Sequence, residues 1–280
     1  MSKADTTKVP EPTVAPRRNG GATLLTLPWV TTPMIVVVFV VLWDRMVVWF
    51  DVSRFILPRP VVVYQSLVEL VQQPWFYTHL RITVTEIVVG FMIACSVAIS
   101  LGILIGKSPT LEQILNPLII ALQVTPKVAL MPLILVLLGF GISSKIAIAA
   151  ILSFFPVLKN TVLGVRSIPA GQSELFKVLN ATPSQRVRLL EMPFVLPYIL
   201  TGVETGIVFA VTGAIVGEYL AGQWGLGALV VISMNTLQVP RLFATVIVLA
   251  TLGFSFYIFL ASLRRWLVPW HEASGPPAAA

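Results

Sequence analysis

Lys127 is the residue whose position most demands a chemical reason. It stands between Pro126 and Pro132 in an apolar stretch. A basic side chain at the centre of a membrane span costs about 2.5–3.5 kcal/mol on insertion scales. The flanking prolines predict a broken helix, whose freed backbone groups need protein partners or water. Two readings stay open. Lys127 lines a polar pathway with Gln123 as its neighbour, or the span starts later and the ammonium snorkels to an interface. Glu204 and Glu218 are two further ionisable groups in an apolar run, and intramembrane acids are pathway candidates by default. Glu218 ends its run, where an interfacial structural role competes with ligand contact. Gln123, Lys127, Glu204 and Glu218 are therefore the candidate substrate-pathway residues.

Other chemistries find little support. Gly106-Lys107-Ser108 resembles the end of a nucleotide-binding loop, but that loop needs a glycine five residues before Gly106, and Leu101 stands there. The single cysteine, Cys95, can form no intrachain disulfide, and His79 and His271 are isolated. The sequence shows no metal site, no paired carboxylates and no nucleophile–base set. No cofactor is expected in this chain, and it is not read as an enzyme.

The elements that must position these residues are membrane helices. Of 280 residues, 56% are hydrophobic and 11% charged, with a mean hydropathy of +0.90. A soluble domain carries about 25% charged residues, so lipid is the solvent for much of this chain. The net charge of +7 reflects basic residues placed between apolar runs, a membrane bias rather than a nucleic-acid footprint. At roughly 20 apolar residues per span, six spans are expected, near 29–49, 82–105, 117–139, 144–163, 198–220 and 242–263. Pro156 predicts a kink in the fourth. The fold class is all-α and polytopic.

Residues 1–27 read as a disordered cytoplasmic tail and 266–280 as a second tail, leaving 28–265 as the membrane domain. No small-residue cleavage site follows the first span, which reads as a retained anchor. Residues 61–72 suggest an interfacial helix with Tyr64, Leu67, Val68 and Val71 on its apolar side. With both termini in the cytoplasm, the inside loops hold twelve Lys and Arg residues and the outside loops six, as the positive-inside rule requires. Gly202, Gly206, Gly213 and Gly217 fall within about 60° of one another on a helix. Such a small-residue face serves close packing, within the chain or at a dimer seam.

The longest inside loop, 164–197, carries two short helices by its local signals. Ser173 can cap the first, with Glu174 in its first turn and Leu175, Phe176 and Leu179 sharing a face. Asn180 suits a left-handed helix terminus. Thr182-Pro183-Ser184-Gln185 reads as a capping box with proline at the first helical position. The second helix is expected to end near Pro193. The result is a helix–turn–helix knob, or else an amphipathic connector resting on anionic lipid.

At this point the chain resembles a known family. Glu174-Leu175-Phe176, Asn180-Ala181 and Leu190-Glu191-Met192-Pro193 resemble the "EAA" loop of binding-protein-dependent ABC importer permeases, with the family's Glu-to-Pro separation of nineteen kept. Leu175 and Phe176 replace two alanines, Asn180 a glycine and Met192 a leucine. Leu57-Pro58-Arg59-Pro60, the stretch from Thr125 to Leu133, Gly139-Phe140-Gly141, Gly217-Glu218-Tyr219-Leu220 and Gly225-Leu226-Gly227 are similar to the nitrate, taurine and sulfonate permeases, a group that includes pyrimidine-precursor and riboflavin transporters. The resemblance implies a type I importer permease in the inner membrane. It implies a partner ATPase that binds ATP and Mg, a second permease chain and an extracytoplasmic solute-binding protein. The coupling-loop residues would be Glu174, Leu175, Phe176, Leu179, Asn180, Ala181, Leu190, Met192 and Pro193. The alternatives are a secondary transporter or another polytopic membrane protein without an ATPase.

Overall fold

The computed structural model describes residues 28–270, all-helical in their regular elements. The expected tail at 1–27, most of the tail at 266–280, and His271 lie outside the described residues. The chain divides after Asp51 into two units. The first contributes α1 (Pro28–Trp49). Its 22 residues, at about 1.5 Å each, match a hydrocarbon core about 30 Å thick.

The second unit begins with α2 (Pro60–Gln72), α3 (Pro74–Lys107) and α4 (Pro109–Val124). Each starts with proline, which fits a first turn because that position needs no intrahelical N–H bond. A 3₁₀ turn at Lys127–Leu130 leads into α5 (Met131–Leu138), and α6 (Ile142–Arg166) follows. Then come α7 (Ala170–Val178), α8 (Pro183–Arg186), a π turn at Val187–Glu191, α9 (Met192–Ala221), α10 (Leu226–Asn235) and α11 (Val239–Leu267).

Among the described residues, five helices are long and apolar enough to cross a membrane. The bent pair at 109–124 and 127–138, which turns by 82°, makes a sixth candidate. Two expectations change. The second span is the middle of a longer helix, because the polar residues before Ile82 continue α3 rather than ending it. The third is not one rod: Pro126 removes a backbone donor and the chain turns there. Helix α2 buries Val63 and Leu70 and leaves Tyr64, Val68 and Val71 exposed. Leu70 and the half-buried Leu67 join a cluster with Leu226, Leu229 and Leu249, which ties α2 to α10 and α11.

The core is α6 between α3 and α9. Ile87, Phe91, Ala149, Ile207, Ala210 and Ala214 form its centre. The glycine stripe of α9 lies along α6. A Cβ at Gly213 would come 2.8 Å from Ala149 Cα, and Gly202, Gly206 and Gly217 face Asn160, Val157 and Lys145. The stripe thus serves packing within the chain. α6 continues through Pro156, whose carbonyl accepts from the Asn160 amide at 2.8 Å.

Candidate functional site

At one end of the bundle, α7 and the start of the α8–α9 helix form a knob. The α7 helix begins after Pro169, so Ser173 lies inside it. This corrects the expected cap: Pro169 enters the helix in an extended conformation, one turn earlier, and Glu174 is past the first turn. Ser173 Oγ instead accepts from Arg186 at 3.3 Å, joining the two arms. At the tip Asn180 has φ of 50°. Its N–H donates to the Lys177 carbonyl and that of Ala181 to Phe176, both at 3.0 Å. This is the Schellman termination, in which the residue after the cap adopts a left-handed conformation. Thr182 and Gln185 then form a reciprocal capping box.

The second arm does not stop near Pro193. The helix runs unbroken from Pro183 to Ala221. Within the π turn the Met192 N–H reaches the Val187 carbonyl, one residue further back than in an α-helix. The wider turn absorbs Pro193, which has no N–H to give and would otherwise crowd the preceding turn. Leu190 is buried, and Leu175, Val178, Leu179, Leu189 and Met192 are exposed. Glu191 anchors the arm, pairing with Lys107 at 2.7 Å and Arg186 at 3.3 Å. Arg166 pairs with Glu112, fastening the end of α6 to α4.

Of the four pathway candidates only Gln123 and Lys127 meet. Lys127 Nζ donates to the Gln123 carbonyl at 3.2 Å and lies 4.7 Å from the Phe155 ring centroid, so its charge meets a backbone dipole and an aromatic face. Glu204 is buried and pairs with Arg264 at 2.9 Å, joining α9 to α11. Glu218 lies near the far end of α9.

There Glu218 is fully buried. Its Oε1 accepts from Thr83 at 2.5 Å and its Oε2 from the Gly227 N–H at 2.6 Å. Leu226 N–H donates to Thr83 Oγ1 at 2.7 Å, and His79 Nδ1 lies 2.8 Å from the Gly225 carbonyl oxygen. Gly225 has φ of 115°, and a Cβ there would overlap the Glu218 carboxylate. The spacing of Gly217-Glu218 and Gly225-Leu226-Gly227 is thus one lock: α9 supplies a carboxylate and the loop supplies bare backbone to receive it.

Beside it lies an ion pair that the sequence reading missed. Lys145 Nζ of α6 is 3.3 Å from Glu86 of α3 and donates to the Trp224 carbonyl at 3.1 Å. Both side chains are buried. Glu218 is an electrostatic neighbour of Glu86, so the fold pairs two carboxylates where the sequence showed none. The available signal was position: two acids and one base near span ends, which alternating helix direction brings to one depth. Intramembrane charges face the bundle interior and pair with one another. This end is the opposite one from the knob, since Lys145 and Arg166 occupy the two ends of α6.

The described residues form an all-helical bundle with helices of membrane length and a structured helix–turn–helix at one end. Residues 98–270 match the model of the family described as "Binding-protein-dependent transport system inner membrane component". The riboflavin transport system permease protein RibX of Chloroflexus aurantiacus is 36% identical over 88% of this chain and 92% of its own length. The formylaminopyrimidine transport permease protein ThiX of Halalkalibacterium halodurans is 32% identical over 81% and 92%. The putative aliphatic sulfonates transport permease protein SsuC of Bacillus subtilis is 29% identical over 88% and 89%. The chain belongs to the binding-protein-dependent inner membrane component family and is a multi-pass inner-membrane permease of the ABC importer type.

Proposed function

We propose that this chain is the translocating subunit of an importer whose ATP hydrolysis, with ATP and Mg, occurs in a separate ATPase chain. A second permease chain completes the pathway, and an extracytoplasmic binding protein delivers a small organic substrate. Both termini and the knob lie in the cytoplasm. A pyrimidine or vitamin precursor is the favoured substrate class, supported by the riboflavin and formylaminopyrimidine relatives. Sulfonate, taurine or nitrate is the other class that relatives carry. ATP binding draws the ATPases together, the knobs follow, and the spans switch the side to which the pathway opens.

The observation that carries this reading is the knob itself. Leu175, Val178 and Leu179 are 53%, 78% and 66% exposed, on a segment whose shape is fixed at both turns. An apolar surface held rigid outside the spans is what a protein groove can receive. Val at position 180 would be strained at positive φ by roughly 1 kcal/mol or more. Asn180→Val and Glu174→Arg are expected to leave membrane levels near normal and to weaken ATPase association or uncouple hydrolysis from uptake, while Asn180→Gly keeps activity. The measurement is purification from membranes with bound ATPase and ligand-stimulated hydrolysis scored together. Parent-like transport by both damaging variants would reduce the knob to a connector.

A further inference from the structure

A cavity of about 970 Å³ opens at the knob end of the bundle, where the ends of α3 and α6 meet α8 and the start of α9. It has a polar end and an apolar wall. Lys107, Arg166, Arg186, Ser173 and Glu191 make the polar end. Ile99 and Ile103 of α3 and Leu196 and Ile199 of α9 make the wall. Along α3, Ile103 and Ile99 lie four and eight residues before Lys107, or about 6 and 12 Å toward the middle of the span. Along α9, Leu196 and Ile199 lie five and eight residues beyond Glu191, about 8 and 12 Å in the same direction. The cavity therefore passes from charged to apolar along the helix axes. One carboxylate, Glu191, serves both Lys107 and Arg186, and Glu112 pairs with Arg166 from outside the cavity. Three cations thus stand against two acids. All three are reachable: the side chains of Lys107, Arg166 and Arg186 are 48%, 41% and 40% exposed. Lys107 carries three N–H groups and each guanidinium five, more than these pairs and the Ser173 hydroxyl use. Basic residues close many spans on one side of a membrane. These three differ in converging on one cavity that continues into the apolar layer.

We propose that this cavity is a binding site for an anionic phospholipid. Its phosphate sits among Lys107, Arg166 and Arg186, and one acyl chain runs along Ile103, Ile99, Leu196 and Ile199. Charge selects the headgroup. A lipid of net negative charge meets the surplus cation, and a guanidinium fork matches phosphate oxygens in pairs. The ammonium of a zwitterionic headgroup would instead bring a fourth positive charge to the same place. The wall selects a lipid over a free ion, because each chain methylene laid against it adds affinity that inorganic phosphate cannot gain. Basic pockets between membrane helices are a known form of anionic-lipid site. Leu175, Val178 and Leu179, the exposed apolar face of the knob, take no part in the walls. The lipid and a protein groove therefore use different faces of the knob, and the lipid ties the knob to the ends of α3 and α6. The assignment needs only the membrane reading and stands whether or not an ATPase docks on the knob.

The test is native mass spectrometry of the membrane-purified protein, with the subunits it retains. The probes are dioleoylphosphatidylglycerol and dioleoylphosphatidylcholine, with inorganic phosphate as competitor. Phosphatidylglycerol is expected to bind about fivefold more tightly than phosphatidylcholine, or better. Lys107→Gln should weaken phosphatidylglycerol about fivefold, the effect of one basic residue beside an anionic lipid, and leave phosphatidylcholine unchanged. Glu191 keeps Arg186 as its partner in that variant, so the knob stays fastened. Ile103→Trp fills the apolar part of the cavity without a change of charge and should also cause a loss of phosphatidylglycerol binding. It keeps the test decisive if Lys107→Gln disturbs folding, which the thermal midpoint of each variant reports. Equal binding of the two lipids overturns the site, as does indifference to both substitutions. Full displacement of phosphatidylglycerol by inorganic phosphate overturns it too, in favour of a soluble anion. A disulfide between copies carrying Cys95→Ala and Ile103→Cys, formed in native membranes, would put a second chain in the cavity and overturn it likewise.

Discussion

At Glu218 one carboxylate serves Thr83 and Gly227 while lying against the bare backbone of Gly225. A truncated side chain would leave a buried N–H and a buried hydroxyl without their acceptor, at about 1–3 kcal/mol for each orphaned group. Glu218→Ala is therefore expected to lower the thermal midpoint of the detergent-purified protein by several degrees. Gly225→Ala should do the same from the other side of the contact, through positive φ and overlap with the carboxylate. Because both changes break one lock, the double variant should lose much less than the sum. Fully additive losses would show that the two residues act separately. Residue-scale features were legible where the signal is local. The capping box at Thr182 and Gln185 and the left-handed Asn180 need only their neighbours in sequence. The Glu86–Lys145 pair was not legible, because its members lie on helices far apart in the chain and only packing of α3 on α6 brings them together.

At the scale of elements, the spans were readable from apolar runs, and their ends were not. Pro193 reads as a terminator because proline lacks an N–H, but the π turn before it supplies a geometry in which that N–H is not needed. Nothing in the apolar pattern announces such a turn. The glycine stripe was visible as a periodicity, while its partner was open until α6 appeared against it. Gly213 is the tightest test of that contact, since the nearest atoms to an added Cβ are backbone atoms of Ala149 and Ile148 that cannot rotate away. Gly213→Val is expected to destabilise the bundle by roughly 1–3 kcal/mol, the usual cost of overpacking, and to lower the yield of monodisperse protein on size exclusion. A parent-like thermal midpoint would mean that α6 and α9 can slide apart at no cost.

For the whole molecule, the helix from Pro183 to Ala221 sets the geometry. Its 39 residues extend about 58 Å at 1.5 Å per residue, well beyond a hydrocarbon core about 30 Å thick. One arm of the knob is thus the same rod that carries Glu218 at its far end. The Glu191–Lys107 ion pair fastens that rod to α3 near the knob, and the Thr83 hydroxyl fastens it to α3 at the other end. Under the proposed coupling, a push on the knob would reach the opposite mouth through helices rather than through loops. The direction of transport then depends on which end faces the cytoplasm, and the proposed cytoplasmic placement of the knob rests on the twofold excess of Lys and Arg. Single-cysteine labelling decides it. In a Cys95→Ala background, Ser184→Cys reports on the knob and Gln223→Cys on the opposite end, and both positions are exposed. An impermeant maleimide added to intact spheroplasts should modify Gln223→Cys at once and Ser184→Cys only after lysis. The reverse order would invert the topology, move the knob away from any cytoplasmic ATPase, and remove the mechanical basis for import driven from that side.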